Sequence, residues 1–171
     1  MDRRQAMVGA LAAGTLLPLG AGAMIGGDAM ERVRTLVDRY AAAWNGSDMD
    51  AMAALYTDDV HWVNIVGMHW QGKAQVDLAH RIFFDIMFHG VPLTLEEIES
   101  VTPLAGGAIV AVVRWAVGAF TTPAGQQRPP SRDRMSLVLV PRGDALAIAH
   151  GANIEIDEMA QQSDPIARSA G

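Results

Sequence analysis

The sequence predicts an α+β fold, with helices in the first half of the chain and most of the strands in the second. Apolar residues recur at helical spacing early on, as at Val33, Leu36 and Tyr40. From Leu93 onward the period changes, and long apolar runs alternate with turn residues. The 171 residues are enough to bury one hydrophobic core, so we expect a single folded domain.

The composition narrows the classes of function. The chain has no cysteine, which excludes disulfides, thiolate metal sites and a cysteine nucleophile. A net charge of -6 argues against a nucleic-acid-binding module, which normally presents a basic face. No phosphate-binding loop occurs, and the five histidines show no metal-ligand spacing; they stand at positions 61, 69, 80, 89 and 150. We therefore expect neither a metal nor a cofactor.

The first 23 residues have the pattern of an export signal. Arg3 and Arg4 precede an uncharged run over residues 5–27, which resembles a twin-arginine signal, and small residues would allow cleavage before Met24. We expect a periplasmic or secreted protein without a stable membrane anchor after cleavage; an uncleaved anchor and an ordinary N-terminal helix are the alternatives. The predicted organisation is a signal at 1–23, a linker at 24–27, the folded domain at 28–157 and a flexible tail at 158–171.

The domain is predicted to begin with two helices. Asp28 and Glu31 form a capping box, and the first helix continues to a turn at residues 45–47. Asp48 then caps a short second helix, which ends at the polar residues 57–59.

A short hairpin and a third helix follow. Residues 60–66 predict a strand, and residues 69–71 predict its partner across a tight turn. Gly72 opens the third helix, one face of which carries positions 76, 80, 83, 84 and 87.

Four strands complete the predicted domain, at residues 93–102, 108–121, 135–140 and 146–156. The second of these is apolar on both faces, but the helices can cover only one face of the sheet. An uncovered apolar face is unusual in a monomer, so we expect a homodimer through the outer face of the sheet.

Several of these segments resemble the nuclear transport factor 2-like superfamily, which includes SnoaL-like cyclases and ketosteroid isomerases. Residues 37–48 and 54–60 carry the resemblance to the superfamily. The resemblance to its SgcJ/EcaC branch is carried by residues 63–67 (VNIVG), 70–73 (WQGK), 79–81 (AHR) and Asn153.

The resemblance implies a cone-shaped fold, the cystatin-like roll, in which a strongly curved antiparallel sheet wraps around three N-terminal helices. It also implies an open-ended apolar pocket between helices and sheet that takes small, mostly apolar molecules without a cofactor. The same cone serves isomerases, cyclases, dehydratases and proteins that only bind or assemble, so the fold does not fix the function.

Three residues are candidates for catalysis. By the resemblance, Asn64 stands where the isomerases carry a proton-shuttling aspartate; an amide is no base, but it can bind a carbonyl or simply satisfy the turn backbone. Helical phase points His80 inward, where a neutral imidazole could act as a base or be a core histidine. By the resemblance, Tyr40 matches the isomerases' oxyanion-binding tyrosine, and the alternative is a packed core tyrosine.

Six further residues are candidates for substrate binding: Trp62, Trp70, Tyr56, Phe84, Arg114 and Asn153. Core packing is the alternative for the four aromatic residues, a structural ion pair for Arg114, and tight packing against a helix for Asn153. The isomerases have a third functional residue, an acid in the penultimate strand. By the resemblance its position corresponds to Ser136, and Asp133 lies nearby but outside the match.

Two main functions remain open from the sequence. One is a cofactor-free enzyme of the isomerase, cyclase or dehydratase type, with His80 as base and Tyr40 and Asn64 as orienting donors on an apolar carbonyl compound. The other is a non-catalytic periplasmic ligand-binding or dimeric assembly domain. Polar groups that converge in one cavity favour the enzyme, and a lone histidine favours the binding or assembly domain. A third function, an interaction domain that acts through its sheet face, would be favoured by a cavity filled by Trp62 and Phe84.

Overall fold

The computed structural model describes residues 21–169, and it contains five α-helices in that range. Two of them precede the first strand, one follows the second strand, and two short ones follow the last strand. They are α1 (Ala21–Asn45), α2 (Met49–Ala53), α3 (Lys73–Phe83), α4 (Glu158–Gln161) and α5 (Pro165–Ser169). A π-helical turn over Phe84–Phe88 extends α3 toward the sheet.

Eight strands are described: β1 (Tyr56–Val63), β2 (His69–Gln71), β3 (Leu93–Pro103), β4 (Ile109–Val117), β5 (Phe120–Thr121), β6 (Gln127–Arg128), β7 (Ser131–Arg142) and β8 (Ala145–Glu155). Six form one sheet in the order β2-β1-β8-β7-β4-β3, and β5 pairs with β6 in a separate hairpin. The α+β prediction is confirmed. The sheet is mixed: β1 runs parallel to β8, and every other pair of neighbouring strands in this sheet is antiparallel.

The connection between the two strands is compatible with that parallel pair. Turns, or the β5–β6 hairpin in the case of β4 and β7, join the antiparallel neighbours, whereas almost the whole domain separates β1 from β8, and such a long connection allows either direction. Register shifts within β3–β4, β7–β8 and β1–β8 curve the sheet, because each bulge bends its strand.

The core lies between the concave face of the sheet and the helices. Alternate residues of β4 are buried, from Ile109 to Val117, and the residues between them face outward and are half-buried. On α1 the residues at helical spacing are buried too, including Val33, Val37 and Tyr40. The sequence periodicity therefore identified the inward faces of both elements.

Two side chains fix the end of α1 to the sheet. The indole nitrogen of Trp44 donates to the carbonyl of Val91 at 2.8 Å. The amide of Asn45 donates to the carbonyl of Leu93 at 2.8 Å and accepts from the Leu93 N–H at 2.9 Å. Because Tyr40 lies one turn earlier on α1, these bonds also set its position over the sheet.

Both ends of the described chain differ from prediction. The first helix does not begin at Asp28, because α1 includes residues 21–27 and the backbone N–H groups after Asp28 already bond to the preceding turn. Residues 24–27 are helical, and the predicted tail carries α4, capped by Asp157, and α5. Most of the predicted signal, residues 1–20, lies outside the described residues, so export stays a prediction.

No helix among residues 21–169 is long and apolar enough to cross a membrane.

The packing on the concave face of the sheet depends on one close contact, between Trp62 and Gly151. Trp62 on β1 is in register with Gly151 on β8, and the indole ring lies directly over the glycine. A Cβ built on Gly151 would stand 2.4 Å from the Trp62 ring. Only glycine leaves room for the ring at this position.

We expect Gly151→Ala to lower the free energy of unfolding by about 1 to 3 kcal/mol, because the new methyl group displaces the buried Trp62 ring. Urea unfolding followed by circular dichroism measures the change. Gly27→Ala is the matched control: Gly27 is helical with open space around it, so the variant should gain about 0.5 to 1 kcal/mol. Equal stability of Gly151→Ala and wild type would contradict the packing described here.

Candidate ligand pocket

A cavity of about 440 Å³ lies between α1, α3 and the concave face of the sheet. Its walls are mostly aromatic and aliphatic, which suits a small apolar molecule. The exposed side chains of Val66 and Met68, in the turn after β1, line one side of its mouth. Residues of the β5–β6 hairpin, among them Phe120 and Gln126, line the other side.

The deep end of the cavity is built from stacked aromatic rings. The Tyr40 ring stacks on Trp62, with centroids 6.1 Å apart and planes 11° apart, and it lies 5.9 Å from the Trp115 ring. All three side chains are 2% exposed or less. This packing holds the Tyr40 hydroxyl and the Trp115 indole N–H at fixed positions in the wall.

Three polar atoms of the cavity residues are buried without a hydrogen-bond partner among the described residues: Tyr40 Oη, Trp115 Nε1 and Asn153 Oδ1. Buried polar groups in folded proteins are nearly always bonded, because an unmade bond costs about 1 to 3 kcal/mol. Burial raises the pKa of the Tyr40 hydroxyl, against a smaller lowering by the neighbouring Tyr56 hydroxyl, so Tyr40 remains neutral. The two hydroxyl groups are close, but their geometry is not that of a hydrogen bond. The wall of the cavity therefore contains two donors and one acceptor that are not satisfied by the described residues.

His80 points from α3 into the cavity, as the helical phase predicted. Its Nδ1 donates to the carbonyl of Val76 at 2.8 Å, and a carbonyl only accepts, so Nε2 is the unprotonated nitrogen. Burial lowers the pKa of His80, which keeps the ring neutral. The rings of Trp62 and Trp70 face its edge, with centroids 5.2 Å and 5.7 Å away.

Asn64 combines the two roles that the sequence left open. It lines the cavity, but its Oδ1 accepts hydrogen bonds from the backbone N–H groups of Val66, at 3.1 Å, and Met68, at 2.8 Å. The amide thereby fixes the turn between β1 and β2. Only its Nδ2 group remains as a donor toward a ligand.

Asp133, like Trp115, is a cavity residue that the sequence analysis missed as a candidate. It is 8% exposed on β7, and its neighbours in register are Trp115 on β4 and Glu155 on β8, which line the same cavity. Burial and then the charge of Glu155 raise the pKa of Asp133 to about 6, against a hydrogen bond from Ser131 and the charge of Arg128. The resemblance matched Ser136, which faces outward; strand phase alone would have selected Asp133, because Met135 and Leu137 also point inward.

Three predicted substrate-binding residues lie outside the cavity lining. Tyr56 is fully packed behind it, with its ring 5.7 Å from Trp62. Phe84 is buried in the core against Trp44, with the two ring centroids 4.6 Å apart. Arg114 is on the outer face of β4, where alternation puts it opposite Trp115, and it pairs with Glu96 at 3.1 Å and with Glu99 at 2.7 Å.

The other candidates share one cavity. Tyr40, Asn64 and His80 all line it, as do Trp62, Trp70 and Asn153. Trp62 and Phe84 do not fill it, which removes the sequence argument for a domain that acts only through its sheet face.

Comparison with known proteins points to one family. Residues 37–143 match the family model described as a SnoaL-like domain. An uncharacterized protein with a cystatin-like fold from Caulobacter vibrioides is 33% identical, with a TM-score of 0.78 over 82% of this chain and 99% of that one. No match is found among curated proteins.

More distant structures share the fold alone. A ketosteroid isomerase-like protein from Erwinia carotovora atroseptica is 19% identical, with a TM-score of 0.61 over 74% of this chain and 95% of that one. An NTF-2 like protein of unknown function from Shewanella oneidensis is 16% identical, with a TM-score of 0.59 over 73% of this chain and 98% of that one.

The raised pKa of Asp133 makes stability depend on pH in a defined direction. The native state binds this proton more tightly than the unfolded chain, so the free energy of unfolding falls as pH rises from about 4 to about 6. Asp133→Asn removes this loss. Relative to wild type, we expect the variant to gain about 1 to 2 kcal/mol between pH 4 and pH 7, after allowance for solvent screening.

Urea unfolding of both proteins across this pH range measures the difference. Ser136→Ala is the control, since Ser136 faces outward on the same strand and its effect should not change with pH. A constant stability difference between Asp133→Asn and wild type would show that the carboxyl is well hydrated.

Proposed function

This chain belongs to the SnoaL-like domain family, and on that basis we propose that its cavity binds a mostly apolar, carbonyl-bearing small molecule and transfers a proton on it without a cofactor. The finer assignment to the SgcJ/EcaC branch stays a prediction.

The observation that carries the proposal is the pair of unbonded donors in an otherwise apolar cavity. Tyr40 Oη and Trp115 Nε1 are both buried, both unpartnered among the described residues, and held on rings that contact each other. A carbonyl oxygen accepts two hydrogen bonds, so one ligand atom can satisfy both groups. If charge builds on that oxygen, these fixed donors stabilise it more than mobile water would.

His80 supplies a base for such a reaction. Its Nε2 carries a free lone pair, and its ring stays neutral because burial opposes protonation. In the proposed step Nε2 takes a proton from the carbon next to the carbonyl, and the electron pair moves onto the oxygen as an enolate. Nε2 then returns the proton to a carbon of the ligand, and Asn64 Nδ2 orients the ligand at the mouth.

One observation favours the second function, ligand binding without catalysis. The only hydrogen bond from the His80 ring to a described residue goes to the backbone carbonyl of Val76, and no side chain orients it. A catalytic histidine is usually oriented by a further polar group, so binding and proton transfer have to be measured separately.

We expect the protein to accelerate hydrogen–deuterium exchange at the carbon beside the carbonyl of 2-tetralone, a compact apolar ketone. Proton NMR in D₂O measures the exchange, and quenching of tryptophan fluorescence measures binding. His80→Gln should slow exchange at least about 100-fold with little change in binding. Tyr40→Phe should weaken both. The wild-type rate should persist at pH values below the ordinary His pKa of 6.5, because the base stays unprotonated.

His89→Gln is the matched control, since His89 is exposed and does not line the cavity. Binding without exchange in the wild type would establish the non-catalytic function instead. A lack of binding to any of a panel of apolar ketones would contradict the proposal as a whole.

We also propose that two copies associate through the outer face of the sheet. Its centre is apolar and half-buried, with Val110 and Val138 paired across β4 and β7. Beside it, Arg114 and Arg134 share Glu99, and Arg114 also pairs with Glu96 and Glu97, so the arginine charges are already neutralised within the chain. An apolar centre with a charge-paired flank suits a self-complementary contact.

Light scattering at micromolar concentration should therefore show a dimer, and Val138→Glu should convert it to a monomer by placing a charge in the interface. Val66→Glu is the control, since Val66 is 69% exposed at the far turn. A monomeric wild-type protein would contradict the dimer.

A further inference from the structure

Two histidines meet on the outer face of the sheet, behind the cavity wall. His61 on β1 and His69 on β2 are both exposed, and a hydrogen bond of 3.0 Å joins His61 Nδ1 and His69 Nε2, so one of these two nitrogens carries the proton. Their rings are 5.2 Å apart with planes 24° apart. Their strand neighbours Trp62 and Trp70 point the other way, into the cavity.

The hairpin explains why the sequence did not show this pair. The two histidines are separated by 8 positions, and two side chains at this spacing on one helix or one strand are too far apart to touch. Pairing of Trp62 with Trp70 across the hairpin sets the register, and that register brings His61 diagonally opposite His69.

We propose that His61 and His69 form a two-ligand site for a late first-row divalent metal such as Cu²⁺ or Ni²⁺. Imidazole nitrogens are preferred ligands of these ions. A metal–nitrogen bond is about 2.0 to 2.1 Å long, so two nitrogens at a right angle around one ion stand about 2.9 Å apart. The observed separation of 3.0 Å matches this edge of a square or octahedral complex, and the bound ion would replace the proton that the two nitrogens now share in a hydrogen bond.

The site is a chelate completed by water. Within residues 21–169 no three His, Cys, Asp or Glu side chains are arranged to hold a metal, so the protein contributes only these two ligands. Both side chains come from short, adjacent strands, and bound metal would tie the edge strand β2 to β1. The site is independent of the cavity ligand, because it lies on the opposite face of the same two strands.

Titration of the full-length protein with Cu²⁺ in a buffer that does not coordinate the ion tests the site. Electron paramagnetic resonance should show one Cu²⁺ per chain with two imidazole nitrogens. His61→Gln and His69→Gln should each lower the affinity at least tenfold, and the double variant should lose no more, because either change destroys the chelate. Cu²⁺ should raise the melting temperature of the wild type and of neither single variant.

His89→Gln is the control, an exposed histidine away from the hairpin, and it should bind like the wild type. The proposal is overturned if either single variant keeps the wild-type affinity within twofold, or if His89→Gln loses as much affinity as they do. It is also overturned if the spectrum shows one nitrogen ligand only. Circular dichroism of each variant confirms that the exposed substitutions leave the fold intact.

Discussion

The pocket of this protein depends on the place of one side chain, the indole of Trp62. The ring reaches the concave face only because Gly151 on the neighbouring strand has no side chain. From there it contacts the rings of Tyr40, Tyr56 and His80, with centroid distances of 6.1 Å, 5.7 Å and 5.2 Å. One tryptophan thus positions the donor on α1 and the imidazole on α3 relative to each other.

The cavity carries a cost that the rest of the fold has to offset. Leaving the Tyr40 hydroxyl and the Trp115 N–H without partners costs about 1 to 3 kcal/mol each, and the buried carboxyl of Asp133 adds to this cost. The closely packed aliphatic and aromatic core around α1 and β4 compensates for this loss. Such a distribution is typical of proteins whose binding sites are less stable than their scaffolds.

The periodicity of apolar residues in the sequence predicted most of the fold and part of the site. Helical phase pointed Tyr40 and His80 inward, and strand phase did the same for Trp62, because side-chain direction is local geometry. Asp133 was missed because a sequence match was preferred to strand phase. Arg114 and Phe84 were misplaced for other reasons: the first points outward by simple alternation, and the second packs into the core against Trp44, a contact that helical phase alone does not predict. The parallel pairing of β1 with β8 and the meeting of His61 with His69 depend on long-range register, which single-sequence reasoning does not provide.

The central claim is that the polar end of a ligand bonds to Trp115 in the depth of the cavity. The chain has four tryptophans, and the indole N–H of Trp44 is already bonded to the carbonyl of Val91, so it serves as an internal reference. Titration with trans-2-decalone, a ketone without an aromatic ring, followed by ¹H–¹⁵N NMR of the indole groups tests the claim, with Trp115→Phe to assign the signal. The account predicts a downfield shift of the Trp115 indole proton and a nearly constant Trp44 signal. A bound ketone that leaves the Trp115 signal unchanged would contradict it.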